Sequence, residues 1–140
     1  MSANTSPDTN DYPPLPSSTT VYRAASNTKH LTEDRRKATP EAFYRRLPTP
    51  ENPQRDRKGL SVGLTPEATG ICLTRVRGII ALVVGEVRNL GLDVLQDKPT
   101  HANITGLPYR DPTDLDLIAK ADKYAEDLAE IAKIPPELQP

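Results

Sequence analysis

The sequence predicts one α+β domain, a small sheet with short helices and a long C-terminal helix packed on it. Three observations predict this. Apolar runs of strand length recur at Gly59–Leu64, Gly78–Val84 and Leu92–Leu95, divided by turn and helix-start signals. Near the C-terminus, Leu115, Ile118, Ala121, Ala125, Leu128 and Ala132 recur at spacings of three and four, one apolar stripe of a helix. With no tryptophan and Phe43 as the sole phenylalanine, the core must be built from Val, Leu, Ile and Ala.

Residues 1–20 are mostly Ser, Thr, Asn, Asp and Pro, and read as a disordered tail with too little to bury to offset its ordering entropy. The Pro-Pro-Leu-Pro run from Pro13 to Pro16 fits a polyproline groove or a linker. Residues 21–134 read as the domain and residues 135–140 as a Pro-rich end. Val21 to Ala24 is a short strand, and the polar stretch from Ser26 to Lys37 a loop that leaves His30 in solvent. Thr39-Pro40-Glu41 opens a short helix through Arg46, with a threonine cap, proline in first position and an acid in the first turn. Pro48 and Pro50 end it.

Leu60, Val62 and Leu64 share one face of the next strand, with Ser61 on the other. Thr65-Pro66-Glu67 starts another turn of helix, and Gly78–Val84 reads as a central strand covered on both sides. The helical turn Gly85–Leu90 closes at Gly91; strands follow at Leu92–Leu95 and His101–Thr105. Asp111-Pro112-Thr113-Asp114 starts the long helix, with Asp111 as cap, and Pro135 and Pro136 bar its continuation beyond about Lys133. Its narrow, alanine-rich stripe serves either to cover the sheet or to pair with a partner protein or a second copy.

The net charge of −1 hides two opposed segments: nine Lys and Arg against five Asp and Glu in residues 29–58, and eight acids against three lysines in residues 111–140. That balance excludes a dedicated nucleic-acid binder. The single cysteine, Cys72, excludes an internal disulfide or cysteine-rich zinc site and is expected as a small buried hydrophobe. With neither a secretory signal nor a membrane-length apolar run, the expected location is the cytoplasm, without a membrane partner.

No phosphate loop, dinucleotide fingerprint, zinc spacing or calcium loop occurs, so no metal is expected. The candidate ligand-binding residues are Arg23, Ser61, His101, Asn103, Tyr44 and Arg45. His101, after the loop Asp97-Lys98-Pro99-Thr100, serves either as a base or ribose contact or to tie that loop down. Arg23 ends the first strand and suits a phosphate, or an ion pair with the acidic helix. Tyr44, Arg45 and Arg46, with Arg55, Arg57 and Lys58, form either an anion-facing rim or solvated surface. Ser61 lies between Gly59 and Gly63, but no strand-to-helix turn follows it, so this is not a hydrolase elbow.

The order Tyr22-Arg23, Ala42-Phe43-Tyr44-Arg45-Arg46, Gly59-Leu60-Ser61-Val62, Val87-Arg88-Asn89-Leu90-Gly91-Leu92 and His101-Ala102-Asn103-Ile104 is similar to a group of small bacterial proteins frequent in cyanobacteria. More loosely, it resembles the ADP-ribosyltransferase-like superfamily with its RES-type toxins. That resemblance implies NAD as cofactor, Arg23 on its phosphates, Ser61 bracing the nicotinamide ribose, and a role in a toxin or defence system. Those enzymes carry a late glutamate, which the later strands here lack. Whether the chain is an enzyme stays open. Nucleotide binding requires Arg23, Ser61 and His101 to converge in one pocket. The alternatives are a noncatalytic protein-interaction module and weak RNA binding through the Tyr44–Arg46 cluster.

Overall fold

The computed structural model describes residues 12–26, 28–69 and 78–139, and the expectations for Cys72 and for residues 1–11 lie outside these. Among the described residues, five strands form one antiparallel sheet: β1 (Thr20–Ala25), β2 (Leu60–Gly63), β3 (Gly78–Val83), β4 (Asp93–Lys98) and β5 (His101–Thr105), in the order β3-β1-β2-β5-β4. The helices are α1 (Pro66–Thr69), α2 (Val84–Asn89) and the long α3 (Leu115–Ile131). The fold is α+β.

Pairing divides the side chains between two faces. Val21 lies opposite Leu82 and Arg23 opposite Ile80, while Leu60 meets Ile104, Val62 meets Ala102, and Val94 meets Ile104. Strand alternation puts all of these on one face. Phe43, Ala42, Ala125 and Leu128 join the apolar ones in a single cluster. Each large side chain so buried contributes about 1.5–3 kcal/mol. α3 therefore covers the sheet together with the 3-10 turn Pro40–Phe43. Its stripe is buried at Ala121, Ala125 and Leu128, whereas Leu115 is 81 % exposed.

Several local expectations are corrected. The turn at Pro40 stops at Phe43 because Tyr44 is extended and Arg45 bridges to Tyr109. Asp114, not Asp111, caps α3: its carboxylate accepts from the Asp116 and Leu117 amides, while Asp111 is occupied by Thr113. From the stretch expected as a tail, Leu15 is buried in the core. The carbonyls of Ser17 and Thr19 accept from the Gly85 and Val84 amides, at 2.8 and 2.9 Å. α2 has no capping side chain, so these carbonyls satisfy the first orphan donors of the helix.

β3 is an edge strand rather than a central one. Its apolar run is buried because the segment after α3 folds back along its free edge. Ala81 and Lys133 exchange both backbone hydrogen bonds. The Gln139 amide completes the edge: Oε1 accepts from the Ile79 amide at 2.9 Å and Nε2 donates to the Ile79 carbonyl at 3.0 Å. A side chain here stands in for a strand. Gln139→Ala is expected to cost about 1–2 kcal/mol by leaving both groups unpaired. Loss of protection at the Ile79 amide in hydrogen exchange, with a lower melting temperature, is the expected result; unchanged exchange would contradict it.

Candidate functional site

The site grows from the β4–β5 hairpin. Pro99 and Thr100 form a two-residue turn between the paired Lys98 and His101, and the register shifts between Gln96 and Lys98. The extra residue at that bulge is Asp97. A bulge re-aims a side chain, and here Asp97 reaches both His101 and Asn103. Its Oδ1 lies 2.6 Å from His101 Nδ1, and its Oδ2 accepts from Asn103 Nδ2 at 3.1 Å.

β2 supplies the next member. Ser61 pairs with Asn103 and Gly63 with His101, so Ser61 and His101 are diagonal neighbours on one face. Ser61 Oγ lies 2.5 Å from His101 Nε2. The result is a continuous chain, Ser61–His101–Asp97, joined at opposite nitrogens of the imidazole. A carboxylate only accepts, so in the neutral ring Nδ1 carries the proton and Nε2 presents its lone pair to the serine hydroxyl.

The environment supports that tautomer. Burial pushes the Asp97 carboxyl up, but hydrogen bonds from His101 and Asn103, the charge His101 carries when protonated, and the charge of Lys58 more than offset it. It is held below the usual carboxylate range. The Asp97 side chain is 8 % exposed and Asn103 is 7 % exposed, whereas Ser61 is open to solvent. The anchor is buried and the reactive end is accessible. Lys58 Nζ stands 3.9 Å from Asp97 Oδ2. Gly59 (φ +135°) brings the chain from Lys58 into β2 across β5, where a Cβ would run into the Ile104 carbonyl.

Of the six candidates, Ser61, His101 and Asn103 come together; Arg23, Tyr44 and Arg45 do not join them. Tyr22 opposes Gly63, which places Arg23 on the core face, away from the Ser61 hydroxyl. There its Nε donates to the Ala42 carbonyl at 2.5 Å and its Nη1 to the Ser61 carbonyl at 2.8 Å. Burial lowers its pKa to about 10, so it stays charged at neutral pH. The convergence that nucleotide binding required of Arg23 is therefore absent, because the strand register sets its face.

Arg45 is an internal clamp. Its guanidinium donates to the carbonyls of Asp56, Leu107 and Arg57 and to the Tyr109 hydroxyl, at 2.8–3.2 Å, and lies 3.9 Å from the Tyr109 ring centre. Tyr44 lies beneath Arg110, 5.0 Å from ring centre to guanidinium, and burial raises its hydroxyl pKa. His30, expected in solvent, is half-buried and accepts from the Ser26 amide, and burial followed by the charge of Arg23 lowers its pKa.

Asp97 is the member that sequence reading assigned to a loop. Its signal was present: Asp93, Leu95 and Asp97 alternate, and Pro99-Thr100 is short enough to fold β4 directly onto His101. Among the described residues, no group of His, Cys, Asp and Glu is arranged to hold a metal ion, and no helix is long and apolar enough to cross a membrane. Comparison with protein-family models, characterised proteins and solved structures finds no match.

Proposed function

We propose that the chain is a serine-dependent hydrolase or transferase acting on an activated ester, with Ser61 as nucleophile, His101 as general base and Asp97 as the group that orients it. The observation that carries this reading is the bonding order Ser61 Oγ–His101 Nε2 and His101 Nδ1–Asp97 Oδ1, at 2.5 and 2.6 Å. In the acylation step Ser61 Oγ bonds to the ester carbonyl carbon and passes its proton to Nε2. The imidazolium returns that proton to the departing alkoxide as the ester bond breaks. Water, activated by the same nitrogen, then releases the acyl group. Because Ser61 lies within a strand and is exposed, the reading favours esters that approach an open sheet face over substrates enclosed in a deep cleft.

The test is covalent labelling with a fluorophosphonate, followed by peptide mass mapping, with hydrolysis of 4-nitrophenyl acetate alongside. Labelling confined to Ser61, lost in Ser61→Ala and much reduced in His101→Ala, is expected. A fully folded wild type that is neither labelled nor hydrolytic would overturn the reading.

Binding of NAD or ADP-ribose, within a toxin or defence system, is the second reading. It keeps Ser61, His101 and Asn103, favoured by the basic side chain of Lys58 beside them, but must dispense with Arg23. Saturable binding of ADP-ribose by calorimetry, lost in His101→Ala without any labelling of Ser61, would put it first.

A further inference from the structure

Lys58 has a place at the relay that the serine chemistry does not use. Its ammonium stands 3.9 Å from Asp97 Oδ2, at the outer limit of an ion pair, and its side chain is 55 % exposed. That same oxygen already accepts a hydrogen bond from Asn103, and Oδ1 is taken by His101. Asp97 is thus satisfied without Lys58. At this distance, with its own side chain mostly in water, the lysine is held weakly, so the ammonium can turn to a second anion at little cost. Lys98, exposed and opposite His101 in the register, is a second cation on the neighbouring strand. Two lysines therefore accompany a relay whose one acid is buried, Lys58 at Asp97 and Lys98 at the strand position opposite His101.

We infer that the substrate of the Ser61 site carries a carboxylate or phosphate near its scissile ester, bound by Lys58 with support from Lys98. This rests on the serine reading above. Each lysine acts as a flexible point charge rather than a planar fork, which suits selection for charge over shape. The attraction acts across an open surface and weakens with salt.

The test compares phenyl acetate with 3-acetoxybenzoate, whose ring carboxylate is the only added charge and cannot reach its own ester carbonyl. Wild type is expected to favour 3-acetoxybenzoate about tenfold in kcat/KM at low ionic strength, as about 1.4 kcal/mol of charge attraction gives. The preference is expected to shrink in 0.5 M salt, fall toward unity in Lys58→Met and survive in Lys58→Arg. In parallel, free succinate is titrated while the His101 ring resonances are followed by NMR. Turnover of both esters without preference, and no succinate-dependent shift, would overturn the anion site alone. Saturable succinate binding that depends on Lys58, in a protein that turns over neither ester, would overturn the serine reading and retain the anion site. Neither turnover nor binding would remove both.

Discussion

Asp97→Asn is expected to leave the fold in place and to cut turnover of an activated ester by about 10³–10⁴-fold. The reason is a conflict of donors. Asp97 Oδ1 meets His101 Nδ1, while Oδ2 meets Asn103 Nδ2 and faces the Lys58 ammonium. An asparagine has one accepting oxygen to share between these two sides. If the oxygen stays toward His101, its NH₂ confronts two other donors. If it turns toward Asn103 and Lys58, the NH₂ confronts Nδ1, and the ring proton must move to Nε2. The lone pair that Ser61 needs is then gone. Steady-state hydrolysis with 4-nitrophenyl acetate checks the rate, and nitrogen NMR of the imidazole checks the tautomer. A variant with the wild-type tautomer and rate would sink the orienting role of Asp97.

The same substitution has a signature in pH. Despite burial, the Asp97 carboxyl is held below its ordinary range by His101, Asn103 and Lys58. As the pH falls, the unfolded chain takes up this proton first. The contribution to stability is thus complete above the ordinary value of about 3.9 and is lost as pH falls through the lower folded value. Thermal melts across that acidic window are expected to show a shallower loss of stability in Asp97→Asn than in wild type. Parallel curves would show that Asp97 gains nothing from its partners.

Arg45→Met is expected to destabilise the protein by about 3 kcal/mol, the second large effect. Arg45 gathers the Asp56, Arg57 and Leu107 carbonyls and lies over the Tyr109 ring, so it ties the loop before β2 to the segment after β5. Removing the guanidinium strands several acceptors at once. Lysine cannot reproduce a planar fork, so Arg45→Lys is expected to recover less than half of the loss. Urea unfolding midpoints at constant slope measure both. A change under about 0.5 kcal/mol in Arg45→Met, of the order seen at free surface sites, would instead return Arg45 to the pool of ligand-facing cations and revive RNA contact through this cluster.

What could be read from the chain was local. Proline and acid at Pro40-Glu41 marked a helical turn, alternation at Leu60 and Val62 a half-buried strand, and Gly91 the end of α2, where φ is +90°. The stripe from Ala121 to Leu128 marked the inner face of α3. In each case neighbours in sequence determine the backbone, so period and capping suffice. Ser61 and His101 were also legible as polar residues in apolar strands.

The partnerships were not. Val21-Tyr22-Arg23-Ala24-Ala25 alternates too weakly to say which side Arg23 takes, and only pairing with Ile80 across β1–β3 puts it on the core face. The run in β3 implied burial on both sides, which a central strand or an edge closed by Lys133 and Gln139 supplies equally well. Asp97 belonged to the turn until the bulge turned it toward His101. The sequence by itself determined the α+β class, most of the elements and the half of the candidate site that sits in apolar strands. Tertiary structure alone decided strand order, the separation of Arg23 from Ser61, and the relay through His101 to Asp97. Register is a long-range choice, and a shift of one residue moves every side chain of a strand to the opposite face.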